Sequence, residues 1–256
     1  MAISFNEIGN LGHIGNQMFQ YASLQGIAKN RNFDWKIPPR EHFGSSYSVK
    51  TMMHNLFYLD PGLSFHTELT DYPSIIETMN GFNIDLFNNC PDEVNLSGYF
   101  QSYKYFEKIE KKIKRDFKFL PDLSERIPKK NTLSIHVRRG DYVGLKNHLP
   151  PMTLEYYSYA LDSVGSFDHA IVFSDDINWC KNQELFNGFE FSDGDAYSDM
   201  RLMTKCNKHI IANSTFSWWG AWLSDSDSVV CPSEWFGPAL STHSTDGYHV
   251  PGWQVI

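Results

Sequence analysis

Ser134-Ile135-His136-Val137-Arg138-Arg139-Gly140-Asp141-Tyr142 carries an apolar, β-branched run into a glycine turn bearing a histidine, two arginines and an aspartate. A strand cannot bury two adjacent guanidinium groups, so at least one meets an anion or water where the strand ends. In an open α/β sheet that place, the carboxyl end of a strand, is where ligands bind. Successive side chains of an extended segment point to opposite sides. One arginine is thus placed for a ligand and the other for a structural carboxylate, with Asp141 as the expected partner of Arg139. The competing reading is two arginines in an ordinary surface loop.

The half of the chain around this stretch alternates strand and helix. Strands are expected at 133–137, 170–173, 209–212 and 229–231. Helices are expected after Thr153, over 177–186, after a Ser198 cap and over 216–223. Such alternation calls for a parallel sheet with right-handed crossovers. Three strand ends then lie side by side: the arginine loop, Ser174-Asp175-Asp176, and Asn213-Ser214-Thr215-Phe216-Ser217. The last starts a helix, and a helix N-terminus is a ready anion site, although an ordinary cap needs only one of its hydroxyls. An arginine facing it fits a diphosphate and could replace a divalent cation in stabilising a departing nucleotide.

The other half opens with a short apolar run and Gly9-Asn10-Leu11-Gly12-His13-Ile14-Gly15-Asn16-Gln17, read as strand, tight turn and helix. Met18, Phe19, Ala22 and Gly26 share one helical face, and residues 34–37 read as a second strand. The amides of Asn16 and Gln17 can bond a phosphate or a sugar without adding charge. Residues 40–91 are poorly patterned, a natural surface for acceptor recognition. In 98–120, Phe106, Ile109, Ile113 and Phe117 form a helical stripe, and the lysines opposite read as a solvated face rather than a site for an anionic partner. The segment 121–130 is the expected linker, dividing the chain into Rossmann-like domains at 1–125 and 126–256, with the Gly-, Pro- and Trp-rich tail wrapping back toward the first.

The bulk numbers suit a soluble globular protein: 256 residues, 41% hydrophobic and 15% aromatic, with 7 Trp that serve a core or face sugars. A net charge of −8 argues against a nucleic-acid partner. Four scattered cysteines read as reduced, buried thiols. With no signal peptide and no apolar run long enough to span a bilayer, the expected location is cytoplasmic. Asp193-Gly194-Asp195 and Asp225-Ser226-Asp227 match the Asp-x-Asp of metal-dependent sugar transferases, but both read better as polar turns.

The 136–142 string resembles the H-x-R-R-x-D-Y signature of the α-1,2-fucosyltransferases, glycosyltransferase family 11. Residues 12–22, Gly-His-Ile-Gly-Asn-Gln-Met-Phe-Gln-Tyr-Ala, are similar to that family's opening block, and residues 211–223 to its third. Three ordered blocks span nearly the whole chain. The resemblance implies a GT-B fold, two facing Rossmann-like domains with a cleft between them. It also implies an inverting, metal-independent transfer of fucose from GDP-fucose, most simply to O2 of a galactose-containing oligosaccharide acceptor.

Carried over by position, Arg138 holds the diphosphate, His136 lies near the nucleotide and Asp199 reads guanine. Ser214, Thr215 and Phe216, with Asn213, complete the phosphate and base contacts. Asn16, with Gly15 beside it, reaches the reaction centre from the first domain. Asp141 and His148 are the candidate bases, and a reaction without a dedicated base is the third possibility. The family's second opening glycine is His13 here, which leaves acceptor identity open. The alternatives are another linkage such as α-1,6, an inactive glycan-binding protein, and a metal-dependent transferase using Asp193 and Asp195.

Overall fold

Short apolar strands separated by helices assemble two parallel sheets in the computed structural model, which describes residues 1–39, 53, 56–57, 59, 66–78, 81–121, 126–224, 226 and 228–256. The chain divides into a first unit, Met1–Pro121 with His243–Tyr248, and a second, Asp122–Thr242 with His249–Ile256.

In the first unit, β1 (Ala2–Ser4), β2 (Asp34–Lys36), β3 (Ser74–Ile76) and β4 (Val94–Ser97) run parallel in the order β2-β1-β4-β3. Helix α1 (Ile14–Arg31) follows the glycine turn and ends at Asn32, whose left-handed backbone lets its N–H reach Ala28 and Lys29 carbonyls. The expected single apolar face understates this helix, which is buried almost all round from Ile14 to Ala28. It packs on β1 and β2 and also against the 3₁₀ turn Tyr103–Tyr105. Two of its buried polar side chains donate to backbone acceptors: Gln20 Nε2 to the Gly98 carbonyl (3.0 Å) and Ser23 Oγ to that of Phe100 (2.9 Å).

The poorly patterned 40–91 region holds, where described, β3 and α2 (Ile84–Asn89), capped by Asn83; much of 40–65 lies outside the described residues. The stripe expected as one helix breaks into 3₁₀ turns at Tyr103–Tyr105 and Glu107–Ile109 before α3 (Glu110–Asp116). Phe106, Ile113 and Phe117 are buried nonetheless. Three of its lysines have partners in the protein: Lys112 meets Gln25 and Asp116, Lys114 meets Glu110, and Lys104 meets Asp246.

The second unit has the order β10-β9-β8-β5-β6-β7, all parallel, formed by β5 (Thr132–Val137), β6 (His169–Ser174), β7 (Glu190–Phe191), β8 (Lys208–Ile210), β9 (Ser228–Cys231) and β10 (Gln254–Val255). Its helices are α4 (Leu154–Ser163), α5 (Ile177–Lys181), α6 (Ala196–Met203) and α7 (Thr215–Trp222). Thr153 caps α4 as expected. Strand β8 ends at Ile210 rather than at residue 212, and two helices differ more from the sequence reading. Helix α5 stops at Lys181, with a 3₁₀ turn at Glu184–Phe186. The cap of α6 is Asp195, whose carboxylate accepts from the Ser198 N–H at 2.9 Å, so Ser198 is the capped residue rather than the cap.

Strand β5 is central and entirely buried. Its alternation sends Leu133, Ile135 and Val137 into a core with Tyr157, Ala160 and Val172, while Ser134 and His136 take the other face. The tryptophans serve the core more than any surface: Trp218 and Trp219 are fully buried and stack with Trp222. All four cysteines are buried, free thiols. No helix among the described residues is long and apolar enough to cross a membrane.

Candidate active site

Pairing of β5 with β6 and β8 brings three strand ends together, with Val137 opposite Ser174 and Ile135 opposite Ile210. His136, on the face of β5 opposite Val137, is 5% exposed, and its ring lies 5.4 Å from that of Phe216. Burial, reinforced by the Arg138 charge, pushes its pKa down to about 3, so the imidazole is neutral at physiological pH. Among the described residues its Nδ1 has no hydrogen-bond partner.

The arginines divide as the alternation requires, but their carboxylates do not match the expectation. Asp141 pairs with Arg138, at 2.7 Å from Nη2, and Asp175 meets Nη1 of the same guanidinium at 2.8 Å. Arg139 instead meets Asp176 at 3.2 Å, and its guanidinium lies 3.8 Å from the ring centre of Trp179. The reason is the turn at Gly140, followed by a 3₁₀ helix over Asp141–Gly144, which returns residue 141 to the side occupied by residue 138. Asp175 braces that turn: its Oδ1 accepts from the Arg139 N–H (2.9 Å), and a Cβ at Gly140 would lie 2.4 Å from its Oδ2. Tyr142 places its ring under Arg138 and donates its hydroxyl to the Asn213 carbonyl at 3.2 Å. The Asp-Asp string at the end of β6 and the Tyr of the 136–142 signature were sequence signals for this cluster; Trp179 had none.

At the third strand end, Ser214 caps α7 with its backbone but makes no side-chain capping bond, and no acidic residue occupies the first turn. The positive end of that helix therefore keeps its affinity for an anion. Asn213 is turned inward: its Nδ2 donates to the carbonyls of Pro150 (3.0 Å) and Trp235 (3.1 Å). Asp199 stands half-buried on α6, accepting from the Ser192 hydroxyl. Burial raises its pKa to about 6 against the opposing effect of that hydrogen bond, and the charges of Asp195 and Asp193 add to the rise. His148 lies on an exposed loop, and no hydrogen bond among the described residues ties its ring to the arginine cluster. Asp195 is occupied as a helix cap, and Asp225 and Asp227 lie outside the described residues.

In the first unit the glycine turn needs its left-handed residues at Gly9 and Gly12. His13 is extended (φ −86°, ψ −176°), so its side chain strains nothing and the turn tolerates the departure from glycine. Asn16 sits in the first turn of α1 with its amide over Gly12, where a Cβ would come within 2.3 Å of Nδ2. Gly15 and Gln17 beside it are buried. Gln101 donates its Nε2 to Asn16 Oδ1 at 2.6 Å, and Tyr248 donates its hydroxyl to Gln101 Oε1 at 2.5 Å. Neither Gln101 nor Tyr248 carries a signal in the sequence.

The family model described as Glycosyl transferase family 11 matches residues 2–256. Among curated proteins, an Alpha-1,2-colitosyltransferase of Escherichia coli is 32% identical, over 88% of this chain and 90% of its own. A Galactoside alpha-(1,2)-fucosyltransferase 2 of Pongo pygmaeus is 25% identical, over 97% and 78%. Among solved structures, POFUT1 in complex with GDP superposes with a TM-score of 0.55 at 14% identity, covering 88% of this chain and 94% of that one. The same protein has been solved with GDP-fucose (TM-score 0.53).

Proposed function

Because the chain belongs to glycosyltransferase family 11 and has the GT-B class of α/β fold, we propose that it moves L-fucose from GDP-β-L-fucose to O2 of a galactose-containing glycan, with inversion and without a metal. The observation that carries this reading is Arg138, clamped by Asp141 and Asp175 at the end of the central strand, with the N-terminus of α7 one strand away. A fixed cation and the positive end of a helix on neighbouring strand ends suit a diphosphate.

In the proposed step the acceptor O2 attacks the fucose C1 as the C1–oxygen bond to the β-phosphate breaks. The acceptor proton passes to solvent water, and GDP leaves with the extra negative charge. Arg138, Ser214, Thr215 and Phe216 oppose that charge, while the neutral His136 lies beside the nucleotide. Asp141 is engaged by Arg138, and no hydrogen bond among the described residues ties the His148 ring to the cluster. The reading favoured is therefore late proton loss without a dedicated base. By the family resemblance, Asn16 and Gly15 are assigned to the transfer machinery as well.

A colitosyl donor is the second reading, supported by the higher identity to the colitosyltransferase. Colitose lacks the 3-hydroxyl of fucose. An assay with both GDP-sugars against galactosides, in excess chelator and with the linkage assigned by NMR, tests the proposal. An α-1,2-fucoside with the chelator present supports it. Transfer of colitose alone replaces the donor, a 1,6 linkage replaces the acceptor position, and binding of glycan without GDP release marks an inactive binder.

Asp199 supplies a pH signature. Guanine's N1–H and exocyclic amine would bond the ionised carboxylate, which exists above about 6 and is lost as pH falls through that value. The donor KM should therefore rise as pH falls below about 6, while kcat at saturating donor changes little. Asp199→Asn should flatten that profile and raise the donor KM at neutral pH by about tenfold to a hundredfold, as for a lost charged hydrogen bond. His136, with its pKa near 3, adds no titration between pH 5 and 8.

A further inference from the structure

An amide side chain is nearly symmetric in shape but opposite in chemistry at its two ends, so what Asn16 offers a substrate depends on which end the protein holds. Here the oxygen is held. Gln101 Nε2 donates to Asn16 Oδ1 at 2.6 Å, and the far end of the same Gln101, Oε1, accepts a hydrogen bond from the Tyr248 hydroxyl at 2.5 Å. The three side chains form a chain of donors running one way, Tyr248 to Gln101 to Asn16. A phenol sets that direction because it donates more strongly than it accepts, its lone pair being drawn into the ring.

The phenol is itself fixed. Tyr248 is 1% exposed and belongs to His243–Tyr248, the late segment that joins the first unit. That segment is fastened along 101–104: the Tyr103 N–H donates to the Gly247 carbonyl at 3.0 Å, and Lys104 pairs with Asp246. A Cβ at Gly247 would lie 1.7 Å from Ser102 Oγ, so the two backbones are in close contact.

We propose that Gln101 and Tyr248 are positioning residues that set the polarity of the Asn16 amide, so that it offers hydrogens rather than lone pairs to an oxygen of the sugar nucleotide or acceptor. This rests on the reading of Asn16 as part of the transfer machinery. With the amide reversed, a carbonyl oxygen would face that substrate oxygen and repel it.

Gln101→Glu is the sharpest test. It keeps the shape, still accepts from Tyr248, but cannot donate to Asn16, and it draws Asn16 Nδ2 toward itself. The expected result is a kcat about a hundredfold lower, with the donor KM within about twofold and the melting temperature near that of the parent. Tyr248→Phe, which removes only the directing proton, should lower kcat by about five- to tenfold. A merely structural role would lower the melting temperature and leave kcat of the folded fraction intact, and that result overturns the proposal. Asn16→Ala separates the two levels. Parent-like turnover in Asn16→Ala defeats the assignment of Asn16 itself. A crippled Asn16→Ala beside fully active Gln101→Glu and Tyr248→Phe defeats the relay alone.

Discussion

Arg138→Ala should lower kcat by about 10²- to 10³-fold, the usual cost of removing one preorganised donor from a developing anion, while the protein stays folded. The guanidinium is 25% exposed and packs on Tyr142 and two carboxylates rather than in the apolar core, so the core is left intact by truncation. Of its two partners, Asp141 is about half exposed and can be hydrated, and Asp175 keeps the Arg139 N–H. What disappears is a cation already held by two carboxylates, oriented before any ligand arrives. Arg138→Lys should recover only part of the loss, because an ammonium is a point charge and cannot meet Asp141, Asp175 and a phosphate with the planar fork of a guanidinium. Single-turnover GDP release at saturating substrates, read beside circular dichroism, checks this. A folded Arg138→Ala enzyme within about threefold of the parent would sink the assignment of the diphosphate site.

The second large effect concerns stability. Gly26→Ala should lower the melting temperature by roughly 10 °C, corresponding to about 3 kcal/mol. Helix propensity alone predicts the opposite sign, since alanine is the better helix former by about 1 kcal/mol. The contact decides. A Cβ on Gly26 would lie 1.9 Å from the Tyr105 carbonyl oxygen, 2.6 Å from its carbon and 3.0 Å from the Phe106 Cα. These are backbone atoms and cannot swing aside, so α1 must move off the segment that also carries Gln101. Gly144→Ala, with nothing within 4 Å of the new methyl, is the control and should be neutral. Equal melting temperatures for the two variants would mean that α1 does not pack on that backbone.

The strand ends of the candidate site were legible because strand ends announce themselves. An apolar run that breaks into charge must do so at the carboxyl edge of a parallel sheet, and the three segments singled out at 136–142, 174–176 and 213–217 do emerge together on β5, β6 and β8. The exchange of carboxylates between Arg138 and Arg139 was not legible, since it follows from how the Gly140 turn folds back. Nor were β7 and β10, two-residue strands whose signal is too short to rise above their surroundings. The basic run in 104–118 illustrates the same limit: several of its lysines have partners, Gln25 and Asp246 among them, that are distant in sequence.

Local order and family blocks therefore belong to the sequence: the alternation of strand and helix, the arginine-bearing strand end and the helix start that follows β8 are set by periodicity and turn chemistry within a few residues. Tertiary structure alone decided which charge faces which, how thoroughly α1 is buried, and that Tyr248, far along the chain, fixes an amide near its beginning. Those outcomes depend on contacts between residues dozens to hundreds of positions apart. Only the folded backbone brings such groups within hydrogen-bonding range.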